Sequence, residues 1–230
     1  MSSQQELFDK NWKMQVDAIK NGPAIESVVR DIDKPKLALS SVIIIPLKIQ
    51  KIISNATTEL RAKYPNQFFY PCNRLHITVV GLINETENFL LDESLIPKLE
   101  EIYQKVLQPH PKFFVELKGL NMTAHSVNIQ VFYENKVLDK IRTELLNKIK
   151  KAGLKLDYKH IAAANRGFGW STMMRFRKGE DLNQLILDVE KLREQHFGEF
   201  MVNEVVLAVT NKYFSEKNTR ILRRFEVGLN

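Results

Sequence analysis

The strongest constraint on this 230-residue chain is an order of elements that occurs twice. A β-branched run, "LALSSVIIIPL" (Leu37–Leu47), is followed by helical spacing over 48–63, with Ile49, Ile52, Ile53 and Leu60 apolar. A short aromatic strand, "QFFYP" (Gln67–Pro71), leads into "LHITVVG" (Leu75–Gly81), a strand with polar residues on one face, and a helix follows over 92–107. The features then return. Strands are expected at "KFFVELKGL" (Lys112–Leu120) and "SVNIQVFY" (Ser126–Tyr133), an amphipathic helix over 135–152 capped by Gly153, a strand at "GFGWSTMMRF" (Gly167–Phe176) and a helix over 181–195. "FMVNEVVLAV" (Phe200–Val209) and "RILRRFEVG" (Arg220–Gly228) read as closing strands. No Gly- or Pro-rich linker parts the halves, so two lobes sharing one core are expected. Ahead of the repeat, Leu7, Trp12, Val16 and Ile19 stripe a helix over 4–20, "NGP" (Asn21–Pro23) ends it, and Ile25–Ile32 forms a second short helix before Pro35. The expected organisation is an N-terminal helical extension, residues 1–36, on one bilobal domain, residues 37–230.

Composition narrows the class. A hydrophobic fraction of 44% is enough for a core, while the longest apolar run, Val205–Val209, is far too short to span a bilayer. The N-terminus lacks the basic-then-apolar arrangement of a signal peptide, and a cytoplasmic protein with no membrane partner is the expectation. The single cysteine, Cys72, rules out an intrachain disulfide and a Cys-rich metal site; no cluster of carboxylates or histidines marks a metal site, and no cofactor is called for. Net charge is +7, which fits either a solvated basic surface or an anionic ligand such as RNA or a nucleotide phosphate. Lys148, Lys150, Lys151 and Lys155 belong to the wet face of a helix, whereas Arg166, Arg175, Arg177 and Lys178, and Arg220, Arg223 and Arg224, flank segments that carry motifs.

Alternation puts His76 and Thr78 on one face of their strand and Leu75, Ile77, Val79 and Gly81 on the other, toward the core. The imidazole can move a proton near neutral pH and the hydroxyl can donate to a phosphate oxygen. Phe68, Phe69 and Tyr70 offer stacking surface just upstream. A hydrogen-bonded structural histidine is the other reading of the same residues. At the equivalent place in the second half, 94 positions on, "WSTMMRF" (Trp170–Phe176) puts Trp170 and Thr172 on a shared face, with Arg175 at opposite parity.

Paired His-x-Thr strands, one per lobe, resemble the 2H phosphoesterase superfamily, which includes the bacterial RNA 2′,3′-cyclic phosphodiesterases, also called 2′-5′ RNA ligases. The resemblance runs from about Leu37 to the C-terminus; "RLHITVVGL" matches in full, and the second motif matches in its Thr, the hydrophobics after it and the trailing "RF" but has Trp170 where histidine belongs. It implies an α+β fold with two antiparallel sheets lining a central cleft and helices outside. It also implies His76 as general acid or base, and Thr78 and Thr172 as phosphate donors, in a metal-independent reaction. The implied partner is a nucleotide or RNA end carrying a cyclic phosphate or related phosphodiester. An indole cannot shuttle a proton. Trp170 therefore either stacks on a base or fills the pocket.

Other residues complete the candidate list. Tyr213, in "TNKYFSE" (Thr210–Glu216), stands where relatives often carry a substrate-contacting aromatic. Arg223 interrupts the apolar face of Ile221, Phe225 and Val227, and is explained by a phosphate in the cleft, by a salt bridge or by an edge strand. His160 reaches the cleft if its loop folds inward; His110, His125 and His196 lie in a loop, at a turn and at a helix end. Three functions remain open at this point: a phosphodiesterase using His76, a pseudo-enzyme that binds nucleotide or RNA ends without turnover, and an interaction protein with a vestigial cleft.

Overall fold

A computed structural model describes residues 3–21, 36–154, 167–177 and 182–228. Its strands form two antiparallel sheets. The first runs β3 (His76–Thr86), β1 (Leu37–Ile44), β8 (Glu204–Thr210), β9 (Arg220–Glu226). The second runs β2 (Phe68–Phe69), β6 (Gly169–Arg175), β5 (Ser126–Tyr133), β4 (Phe113–Thr123), β7 (His196–Val202). The helices are α1 (Gln4–Lys20), α2 (Leu47–Ala56), α3 (Thr58–Lys63), α4 (Leu95–Leu107), α5 (Val137–Lys151) and α6 (Leu182–Glu190). No helix among the described residues is long and apolar enough to cross a membrane.

The repeat seen in the sequence is visible in the pairing. β1 and β3 flank the α2–α3 segment and pair with each other; β5 and β6 flank α5 and do the same. One apolar cluster joins Trp12 of α1, Leu39 and Ile43 of the first sheet, Ile129 and Val131 of the second, and Ile141 and Leu145 of α5. Burying each such large side chain contributes roughly 1.5–3 kcal/mol, so the two sheets are held by a common core.

Several boundaries differ from the sequence reading. The helical segment after β1 is broken at Thr57, whose buried hydroxyl donates to the Ile53 carbonyl at 2.8 Å. The apolar stretch Phe200–Val209 is two strands in different sheets, with Asn203 alone between β7 and β8. No Gly or Pro marks the crossing, and the polar pair Asn203-Glu204 is its one local sign. The helix expected to reach residue 195 stops at Glu190, and His196 opens β7 rather than ending a helix. The second N-terminal helix expected over Ile25–Ile32 lies outside the described residues.

α1 begins with a capping box: Glu6 N–H donates to Ser3 Oγ at 3.2 Å and Ser3 N–H donates to the Glu6 carboxylate at 3.0 Å. Its buried stripe packs on the second sheet. Asn11 Nδ2 donates to Asn121 Oδ1 at 3.1 Å, Asn121 Nδ2 donates to the Phe8 carbonyl at 2.9 Å, and Ala124 N–H donates to Gln15 Oε1 at 2.8 Å.

Candidate active-site cleft

Each motif strand carries a β-bulge immediately after its threonine. In β3 the register steps from Val42↔Thr78 to Ser41↔Val80, leaving Val79 as the extra residue. In β6 it steps from Asn128↔Thr172 to Val127↔Met174, leaving Met173 extra. A bulge reverses the parity of everything beyond it. Val79 and Val80 are therefore both buried, as are Met173 and Met174, and the next residue swings to the cleft. Gly81, expected to face the core, lines the cleft; Arg175, expected to face away from Thr172, lines it too. Both corrections have this one cause.

The first bulge is held by two side chains. Ser41 Oγ accepts from Val80 N–H at 3.1 Å and from Tyr103 Oη at 2.7 Å. Arg142, on the apolar stripe of α5, donates through Nη2 to the Thr78 carbonyl at 2.9 Å and through Nε to the Val79 carbonyl at 3.1 Å. Burial lowers the pKa of this guanidinium, and Tyr133 and Asp139 oppose the shift. Its charge is tied to Asp139 at 3.6 Å. The second bulge uses main chain: Tyr70 N–H donates to the Met173 carbonyl at 2.9 Å. Sequence reasoning missed Arg142, although a lone cation on an apolar helical face is a readable signal.

His76 is half-buried with Nδ1 3.0 Å from the Arg74 carbonyl. A carbonyl only accepts, so Nδ1 carries the proton and the neutral ring keeps an unprotonated Nε2. That nitrogen makes no hydrogen bond among the described residues. Burial pushes the His76 pKa below its ordinary value and the Arg175 charge pushes it further, while the Arg74 carbonyl opposes both. These influences together favour the neutral imidazole. Phe214 lies against it, ring centroids 4.4 Å apart, in a left-handed backbone conformation with φ of 50° that a bulky residue adopts only under constraint. The sequence reading named Tyr213 here; the left-handed turn instead brings its neighbour Phe214 against the histidine.

A cavity of about 620 Å³ lies between the two motif strands, and His76, Thr78, Trp170 and Thr172 all line it. Arg142, Arg175 and Lys212 are the lysine and arginine residues in its described wall and Glu85 is the acid, so the cleft favours an anion. Arg175 Nε donates to Tyr70 Oη at 3.0 Å, and that hydroxyl donates to the Lys212 carbonyl. Thr78 is exposed to the cavity and its hydroxyl has no protein partner among the described residues. Thr172 Oγ1 donates to Asn128 Oδ1 at 2.8 Å. In this arrangement Thr172 presents lone pairs, not a proton, to the cavity.

The remaining candidates are elsewhere. Tyr213 is buried against Phe68, centroids 4.8 Å apart, beside a neighbouring pocket rather than the cleft. Arg223 sits on edge strand β9 and donates to Glu100 at 2.7 Å, which is the salt-bridge alternative. His110 and His196 lie near Glu144 and Glu116, at 3.3 and 3.5 Å. His125 occupies the β4–β5 turn, and none of these three histidines lines the cleft. His160 is outside the described residues.

Known structures share the fold. The chain is similar to TT0787 of Thermus thermophilus, with 14% identity, 84% of this chain and 100% of that one covered, and a TM-score of 0.61. It is similar to E. coli LigT complexed with ATP, with 15% identity, 84% and 99% coverage and a TM-score of 0.53. It is also similar to LigT complexed with 3′-AMP, with 18% identity, 84% and 98% coverage and a TM-score of 0.52. No curated protein matches the chain in sequence. The family model for the 2′-5′ RNA ligase superfamily matches residues 49–213, from α2 through the loop after β8, and thus takes in both motif strands and their bulges. The chain belongs to that superfamily, the 2H phosphoesterases.

Proposed function

We propose that the cleft binds a nucleotide or RNA end through its phosphate and slowly hydrolyses a 2′,3′-cyclic phosphodiester, with His76 as the general base. The observation that carries this reading is the geometry of His76: Nδ1–H tied to a main-chain carbonyl and Nε2 unpartnered among the described residues, beside a free threonine hydroxyl, with burial holding the ring's pKa below its ordinary value. In the proposed step Nε2 takes a proton from water, the water oxygen bonds to phosphorus, and one ribose oxygen–phosphorus bond breaks. The leaving oxygen takes its proton from solvent, since the indole of Trp170 has none to give near neutral pH. Thr78 donates to a phosphate oxygen, Thr172 does so by turning from Asn128, and Arg175 and Lys212 balance the charge that builds on the phosphate. A cyclic phosphodiester suits such a site because opening the ring relieves strain, so departure depends less on an acid. Relative to a two-histidine site, turnover is slower by on the order of 10²–10⁴-fold, or about 3–5 kcal/mol of barrier.

The test is hydrolysis of nucleoside 2′,3′-cyclic phosphates in excess EDTA. Slow formation of a monophosphate is expected, abolished in His76→Ala. Turnover that survives this substitution excludes the mechanism. Trp170 in the second histidine position favours a second reading, binding without turnover. It predicts that wild type and His76→Ala are equally inactive and that Trp170→Ala weakens nucleotide affinity.

A further inference from the structure

We propose that α1, which precedes the residues matched by the family, forms part of the ligand wall: Phe8, acting through Phe168, fixes the ring plane of Trp170 as a stacking surface for a nucleobase. The inference rests on the nucleotide reading above and adds a positioning residue to it. Phe8 is 1% exposed and stands between Phe132, 5.1 Å away at 59°, and Phe168, 4.7 Å away at 55°. Phe168 in turn meets Trp170 at 5.5 Å and 50°. The chain of rings therefore runs from a helix outside the repeat to the indole in the cleft.

The same helix grips the backbone that enters β6. Gln4 Nε2 donates to the Gly167 carbonyl at 3.3 Å, and Gln4 Oε1 accepts from Tyr133 N–H at 3.1 Å. Gly167 has φ of 78°, and a Cβ there would lie 3.1 Å from Leu7 Cδ1, so α1 sits where only a glycine fits comfortably. From the other side Arg142 Nη1 reaches the Phe168 carbonyl at 3.5 Å. Among the described residues the first half-site is braced by Arg142 and Ser41 at its bulge and has no chain of rings from α1 behind it. His76 is held by its own main chain and by Phe214, between strands of its own sheet. A stacking ring held in place before the ligand arrives loses less rotamer freedom on binding. The predicted ligand is a nucleoside phosphate, whose base uses Trp170 while its phosphate uses the threonines and cations.

The chain has two tryptophans, so Trp12→Phe leaves Trp170 as the sole tryptophan, which excitation at the red edge of the absorption band reads apart from the tyrosines. In that background adenosine 2′-monophosphate is expected to quench the emission, while ribose 5-phosphate and inorganic phosphate do not. Adding Phe8→Leu, which keeps apolar volume and removes the ring, is expected to weaken nucleotide affinity by roughly 3–10-fold, a fraction of a full stacking contact. Inorganic phosphate affinity by calorimetry is expected to stay unchanged. Gln4→Ala, which leaves the core intact, is expected to act in the same direction by about twofold, and it carries the test if circular dichroism shows that Phe8→Leu does not fold. Nucleotide affinity unaltered in the folded variants overturns the inference, as does an equal loss for inorganic phosphate. Failure of the parent protein to bind any nucleotide overturns the nucleotide reading and this inference together.

Discussion

On β3, His76-Ile77-Thr78 is followed by a bulge at Val79 and then Gly81; on β6, Trp170-Ser171-Thr172 is followed by a bulge at Met173 and then Arg175. The backbones are equivalent position by position, and the side chains are not. The first half-site offers a titratable base and a free hydroxyl, and the charge that its strand brings to the cleft is the Glu85 carboxylate rather than a cation. The second offers an indole, a hydroxyl already donating to Asn128 and a guanidinium. One strand is equipped to move a proton and the other to hold an anion and a flat ring. The supports differ as well: a side chain, Arg142, secures the first bulge, whereas the second relies on the Tyr70 main chain.

The largest expected effect comes from making the two strands alike. Trp170→His restores an imidazole at the second position and is expected to raise the hydrolysis rate of a 2′,3′-cyclic nucleotide by on the order of 10²–10⁴-fold. An unchanged rate, with the variant folded, would mean that the second strand is not placed to protonate the leaving oxygen. Next is the support of the first bulge. Arg142→Met leaves the Thr78 and Val79 carbonyls without their donor and is expected to cost about 3 kcal/mol in chemical denaturation. A cost below about 1 kcal/mol would mean that the bulge stands without the guanidinium. The smallest effect concerns the charge of the second strand. Arg175→Gln is expected to reduce affinity for a nucleotide monophosphate by about tenfold. Because Arg175 disfavours the imidazolium, the same change raises the His76 pKa, and the acid limb of kcat/KM moves to higher pH. NMR titration of the His76 ring reads that shift directly, and a limb moving to lower pH would contradict it.

The sequence disclosed what depends on local alternation and repetition. The strand identities, the shared face of His76 with Thr78 and of Trp170 with Thr172, and the doubled order of elements all follow from period and spacing. What it withheld depends on partners far along the chain. The bulges that bring Gly81 and Arg175 into the cleft are pinned by Ser41, Tyr103, Arg142 and Tyr70, none of them neighbours in sequence. That Phe214 rather than Tyr213 meets the imidazole depends on one left-handed residue. Arg223 was ambiguous because its carboxylate partner, Glu100, lies on α4 in the first half of the chain.

The chain passes between the sheets with little slack: Asn203 alone joins β7 to β8, and residues 70–75 carry β2 of one sheet into β3 of the other. Val227 N–H clasps the Asn203 carbonyl at 2.8 Å and secures the shorter link. Two such short links limit how far one sheet can swing against the other. A ligand of the proposed kind is then expected to exchange by displacing solvent rather than by gross opening and shutting of the protein.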